Sequence, residues 1–174
     1  MTKNLHFEKY KIEYISYTIY IYGESNVNKS FKLDNQLCFE VYKAANQFTK
    51  LYRQILEPFD LTYPQYLVLL VLWEKDQLLV KQLSEKVCLG IGTLNPIINK
   101  LVDKGWVTKE ISTQDKRAII VSLTEKAQLQ ETLITEEILN KVSECETLIV
   151  QDRVLKSRLN ELNELLTQLN EMDG

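Results

Sequence analysis

Between Leu79 and Leu123 the spacing of apolar residues changes twice. Val80, Leu83 and Val87 recur at helical intervals and predict a short helix over 80–87. A turn, Leu89-Gly-Ile-Gly92, leads to a second helix over 93–104 that stops at Gly105. There Leu94, Ile97, Ile98, Leu101 and Val102 fall at i, i+3, i+4, i+7 and i+8, a single apolar stripe. The opposite face carries Thr93, Asn95, Asn99, Lys100, Asp103 and Lys104. Two β-prone runs follow, Trp106–Ile111 and Ala118–Leu123, joined by the polar turn Ser112-Thr-Gln-Asp-Lys-Arg117.

The flanks read as helices. Leu37, Val41, Ala44, Ala45, Phe48, Leu51, Tyr52 and Ile55 keep helical spacing over 37–56, and Pro58 ends the run. Thr62 is a cap and Pro64 a first-turn residue for the next helix, Gln65–Lys75, which is apolar almost all round and predicts a buried centre. Pro96 fits a first turn, where its missing N–H has no helical partner to lose, so the second helix of the pair is expected to start near Gly92. Thr124 can cap a helix reaching about Ile149. Beyond it Leu155, Leu159, Leu162, Leu165, Leu166, Leu169 and Met172 form a heptad-like stripe with little core of its own to cover, and pairing with a second copy is its simplest use. The expected fold is mainly α with a small β-hairpin wing: a winged helix-turn-helix with N- and C-terminal dimerisation helices. Its divisions are an N-terminal extension over 1–32, a first dimerisation helix over 33–62, a winged helix-turn-helix over 63–123, and C-terminal dimerisation helices over 124–174.

Charge sharpens this picture. The 174 residues carry a net −3, but residues 78–125 hold seven Lys/Arg against five Asp/Glu, while residues 126–174 hold five against ten. A basic surface beside an acidic tail suits a DNA binder that turns one face to phosphate. Three cysteines lie far apart without a CxxC, and with one histidine, His6, a structural zinc site lacks ligands. No nucleophile–base–orienter set, phosphate loop or metal cluster appears, so neither an enzyme nor a cofactor is expected. No apolar run approaches the roughly 20 residues of a membrane span. An odd cysteine count without a secretion signal points to a reducing cytoplasm. The aromatic run Tyr14–Tyr22 receives no role.

The assembled segments resemble the MarR family of winged-helix repressors, and within it the organic-hydroperoxide-sensing, OhrR-type branch. The residues that carry the resemblance are Asn35-Gln-Leu-Cys-Phe39, Leu61-Thr-Tyr-Pro-Gln-Tyr-Leu67, Leu72-Trp-Glu74, Gly92-Thr-Leu94 with Pro96, Asp115-Lys-Arg117 and Ser122-Leu-Thr124. The resemblance implies a homodimer on double-stranded DNA, at an inverted-repeat operator with half-sites roughly 34 Å apart. Thr93, Asn95, Asn99 and Lys100 would face base edges or phosphates, with Asp115, Lys116 and Arg117 at the wing, where Arg117 enters the minor groove and Asp115 orients it. It also implies a redox site: Cys38 as the reactive thiol, Tyr42 one turn on, and Tyr52 contributed by the neighbouring subunit. Hydroxyl donors favour a thiolate, and a thiolate attacks peroxide. Cys145 lies where some members of the branch carry a second, resolving cysteine. Cys88 is read as core.

One stretch departs from the family pattern. Where relatives have Asp-Ser-Gly-Thr-Leu-Thr-Pro, this chain has Gly90-Ile-Gly-Thr-Leu-Asn-Pro96, which removes a cap and two polar groups from the head of the recognition helix. The leading expectation is a repressor released by organic hydroperoxides or related oxidants acting on Cys38. The alternatives are a MarR-type repressor induced by a small phenolic or lipophilic ligand, and a winged-helix interaction module without specific DNA binding.

Overall fold

The computed structural model describes residues 32–113, 115–143 and 153–172. The extension before residue 32, Cys145 and the stretch of predicted helix reaching Ile149 lie outside those residues. Helix α1 spans Leu37–Leu56, as its spacing predicts, and a 3-10 turn over Glu57–Phe59 carries Pro58. Helix α2 follows at Tyr63–Glu74, then strand β1 at Leu78–Leu79, helix α3 at Val80–Lys86 and helix α4 at Ile91–Asp103. Strands β2, Val107–Ile111, and β3, Ile119–Leu123, make the wing. Helix α5 covers Glu125–Ser143 and helix α6 covers Arg153–Met172. Packing divides the chain into two compact units that meet in sequence at Lys50 and Leu51.

The core belongs to the second unit. Leu56, Val68, Leu69, Leu72, Leu83, Leu94, Ile98, Leu101, Val121 and Ile134 are all fully buried. Each buried aliphatic side chain contributes about 1.5–3 kcal/mol relative to exposure, which makes this cluster the main source of the unit's stability. Helix α2 lies at its centre, as its all-round apolar pattern requires, and its Trp73 Nε1 donates to the Ala127 carbonyl of α5 at 3.1 Å. Gln65, buried at the start of α2, accepts a hydrogen bond from the Thr62 backbone N–H at 3.0 Å, one half of a capping box. Thr124 caps α5 as expected: its hydroxyl oxygen accepts from the Ala127 N–H at 3.3 Å and lies 2.8 Å from the Gly105 carbonyl.

Three features correct the expectations drawn from sequence. The wing is a three-stranded antiparallel sheet in the order β1-β3-β2, with Leu78 opposite Val121 and Leu79 opposite Ile120. A two-residue strand shows no alternation, and its leucines run straight into the helical pattern of α3. Helix α4 begins at Ile91, so Pro96 lies inside it rather than in its first turn. Its ring faces the carbonyl of Gly92, four residues back, where the helix gives up one hydrogen bond. Cys88 is exposed, not core. It occupies the left-handed position (φ 53°) of a Schellman ending, with Leu89 N–H bonded to Ser84 O at 3.1 Å and Cys88 N–H to Glu85 O at 3.4 Å. The side chain stays exposed there, its Sγ 3.8 Å from the Glu85 carbonyl oxygen of the last turn. Helix α4 ends in the same way, and there the left-handed residue is Gly105 (φ 69°), the residue type that adopts it without strain.

Candidate nucleic-acid interface

The helix-turn-helix is α3 and α4 with the turn Val87–Gly90 between them. Leu94, Ile98 and Leu101 of α4 bury into the core, and Ile97 is half-buried; Val102, the fifth member of the predicted stripe, is exposed at its edge. The face turned outward carries Gly92, Thr93, Pro96, Asn99, Lys100 and Asp103, all exposed, with Asn95 half-buried on one flank. Asn99 lies on the outermost line of that face, at helical spacing from Gly92 and Pro96, neither of which has a side-chain hydrogen-bonding group. The polar residues expected to read DNA therefore do share one accessible surface. Ile91, exposed beside them, adds apolar area at the head of the helix. Gly90 is the N-cap residue and provides no side-chain cap; its carbonyl takes the Thr93 N–H at 3.0 Å, so the N–H groups of Ile91 and Gly92 are the ones turned toward whatever lies ahead of the helix.

The wing tip is held by its own backbone. Ser112 N–H donates to Ala118 O at 2.9 Å, and Ala118 N–H to Asp115 O at 2.9 Å. The buried Ser112 hydroxyl oxygen accepts from Asp115 N–H at 3.4 Å. Asp115 Oδ1 accepts from the backbone N–H of Arg117 at 2.9 Å. That contact shapes the turn at the backbone. Lys116 and Arg117 are exposed beyond it.

Two lysines tie α4 in place: Lys104, which the sequence put on the polar face of the helix, and Lys109, to which it gave no role. Lys104 forms an ion pair with Asp60 at 3.0 Å and also donates to the Asp60 carbonyl, so it is committed to the fold. Lys109, on β2, donates from Nζ to Asn99 Oδ1 at 2.9 Å and joins wing to recognition helix. Such a link depends on tertiary structure, and no local sequence pattern signals it.

The redox candidates fall in both units, and each is described in its own. Cys38 is exposed on α1, and Tyr42, also exposed, follows one turn later on the same face. The Tyr42 ring stacks on Phe39 with centroids 6.4 Å apart, and Lys43 sits 4.9 Å above the Phe39 ring. Tyr52 is half-buried in the other unit, stacked on Tyr63 at 4.5 Å and Tyr66 at 5.6 Å. Burial raises the pKa of Tyr52, with the neighbouring Tyr63 adding to it, and pushes Tyr66 up to about 12. These phenols keep their protons, and so remain donors, throughout the neutral range. Among the described residues no group of histidine, cysteine and carboxylate side chains could hold a metal ion, and no helix is long and apolar enough to cross a membrane.

The model of the transcriptional regulator family SarA/Rot matches residues 50–136, half of the chain. The chain belongs to this family. It is 43% identical to the organic hydroperoxide resistance transcriptional regulator of Bacillus subtilis over 98 residues, which is 56% of this chain and 67% of that one. To the regulator SarZ of Staphylococcus saprophyticus it is 37% identical over 116 residues, 65% of this chain and 80% of that one. Among solved structures it resembles AbfR of Staphylococcus epidermidis, reduced and bound to DNA, at a TM-score of 0.71 and 34% identity over 81% of this chain and 96% of that one. AbfR is also known overoxidised on DNA, at a TM-score of 0.69, and in a disulfide form, at 0.58. Like its SarA/Rot and MarR-type relatives, this chain is a winged-helix transcriptional regulator.

Proposed function

We propose that this chain is a repressor that holds an inverted-repeat duplex as a homodimer and releases it when an organic hydroperoxide or related oxidant acts on Cys38. The observation that carries the DNA-binding part is the outward face of α4. Thr93, Asn95, Asn99 and Lys100 line it, with a wing beside it whose tip exposes Lys116 and Arg117. A helix in the major groove and an arginine in the minor groove use such a surface fully. The dimer accounts for apolar side chains left uncovered in the single chain: Leu37, Val41 and Phe48 on α1, and Leu155, Leu159, Leu165, Leu166 and Leu169 on α6.

In the redox step the Cys38 thiolate attacks a peroxide oxygen and the O–O bond breaks. Cys38 becomes a sulfenic acid, and the departing alkoxide takes a proton to leave as alcohol. Tyr42, with Tyr52 of the partner subunit, would donate hydrogen bonds to the thiolate. A second thiol, for which Cys145 is the candidate, then displaces water from the sulfenic acid and forms a disulfide. The relative AbfR has been solved on DNA in its overoxidised state. Overoxidation is therefore compatible with bound duplex there, and for this chain we assign release to the disulfide. Helix α1 supplies the coupling: one uninterrupted helix carries Cys38 near its start and the core residues Ile55 and Leu56 at its end.

Gel shift on the DNA upstream of the protein's own gene, with and without cumene hydroperoxide, tests this. Peroxide should free the duplex from wild type, while Cys38→Ser and Cys145→Ser hold it. Equal release from wild type and Cys38→Ser would sink the thiol mechanism. Absence of a specific shift at any salt concentration would leave a winged-helix interaction module in place of a repressor.

A further inference from the structure

The hydrogen bond between Lys109 and Asn99 has a consequence for which base the recognition helix prefers. A lysine ammonium has donors and no lone pair, so the Asn99 atom that meets Lys109 Nζ at 2.9 Å is the amide oxygen. The Asn99 NH2 group, on the outermost line of α4, then points its two N–H donors away from the wing. Asparagine ordinarily reads adenine with both ends of its amide, donating to N7 and accepting from the N6 amino group. Here the accepting end already serves an ammonium, whose positive charge also repels a second N–H donor. The oxygen keeps a second lone pair, but beside that charge the NH2 group is the favoured end for a base, so the amide acts mainly as a donor. In the major groove the purine edge that offers acceptors alone is that of guanine, N7 and O6, and the spare N–H bonds of Lys109 are donors of the same sign. Lys109 is itself fixed, since it lies on β2 opposite Val121 of β3 and is half-buried.

We propose that Lys109 is a specificity-determining residue: by occupying the Asn99 carbonyl it converts Asn99 from an adenine reader into a donor that selects guanine. The proposal rests on the reading of α4 as a DNA-binding helix. It is tested by selection from a pool of randomised duplexes with wild type, Asn99→Ala, Lys109→Met and Lys109→Arg. Wild type should enrich guanine at one position of each half-site, and Asn99→Ala should lose that preference. Lys109→Met frees the amide oxygen and should move the preference at the same position to adenine, a reversal of roughly tenfold. Lys109→Arg keeps a donor against the oxygen and should keep guanine. Adenine at the Asn99-dependent position in wild type, or an unchanged preference in Lys109→Met, would overturn the proposal while leaving DNA binding intact. If wild type enriches no sequence at all, the DNA-binding reading fails and the proposal falls with it.

Discussion

Leu69 and Leu165 are the same residue on two helices of similar regularity, yet Leu69 is fully buried in α2 and Leu165 is 58% exposed on α6. The contrast extends to whole regions. From Leu51 to Ser143 the inward apolar side chains of α2, α4, β3 and α5 find partners within the same unit, and Trp106 and Val121 are buried, although Leu129, Leu133 and Leu139 on the outer side of α5 stay exposed. On the first turns of α1, and along α6, the leucines and valines lie open. Burial separates a part that one chain can complete from parts that it cannot. The part that reads DNA is complete. The parts whose apolar surface is open are where the proposed second copy would pack.

The sharpest way to break that contrast is to truncate both leucines. Leu69→Ala should lower the unfolding free energy by about 2–5 kcal/mol, the cost of an unfilled cavity in a close-packed core, as read from a urea titration. Leu165→Ala should leave the core alone and raise the dimer's dissociation constant by at least about tenfold, read by sedimentation. Unchanged sedimentation for Leu165→Ala would mean that a second copy does not cover the α6 stripe.

The same contrast marks how far sequence goes. Periodicity placed α1 at Leu37–Leu56, because eight apolar positions and a terminating proline agree on it. It placed Thr62 and Thr124 at the N-cap positions of α2 and α5, because a helix start is marked locally, and at Thr124 the hydroxyl makes the capping bond. It also found both stripes, but a stripe does not say whether its partner is in the same chain, so Leu94 and Leu165 look alike in sequence. Strand β1 was not legible because two leucines carry no period. The exposure of Cys88 was not legible either: an apolar residue in a left-handed cap is legible only from φ. At the candidate interface the residue types were readable from one helical face. The bond between Lys109 and Asn99 was not, since it joins residues ten apart across a loop and a strand.

A second measurement asks whether the complete region responds to pH as one body. Tyr52, Tyr63 and Tyr66 all lie within it, and burial raises the pKa of each, to about 12 for Tyr66. In the unfolded chain a tyrosine loses its proton near 10. Between about 10 and about 12 the unfolded chain therefore binds fewer protons than the folded one, and stability falls as pH rises. It is fully present below pH 10. The urea midpoint should decline across that window, less than a fully desolvated group would give because Tyr52 and Tyr63 are only half-buried, and Tyr66→Phe should flatten it. A decline of the same slope in Tyr66→Phe would remove Tyr66 as its cause.

The smallest effect probes the open start of α4. Helix α5 has Thr124, whose hydroxyl accepts from a first-turn N–H, and α2 and α3 at least have Gln65 and Gln82 on their N-cap N–H groups, but α4 starts at Gly90 with neither kind of side-chain bond. The backbone of Gly90 is already extended, φ −60° and ψ 147°, as an N-cap should be, and a Cβ there would meet nothing within 4 Å. The Thr93 N–H already bonds the Gly90 carbonyl at 3.0 Å, so of the N–H groups of Ile91 and Gly92 an aspartate could accept from that of Gly92 without moving the helix. Gly90→Asp should stabilise the protein by a few tenths of a kcal/mol, about 1 °C in Tm. The same N–H groups are those that a helix N-terminus offers to phosphate. A filled cap then competes with DNA, and affinity should fall even as Tm rises. A rise in both would show that the open start of α4 does not contact the backbone of the duplex, and a fall in Tm would show that the cap position is held by something other than its missing side chain.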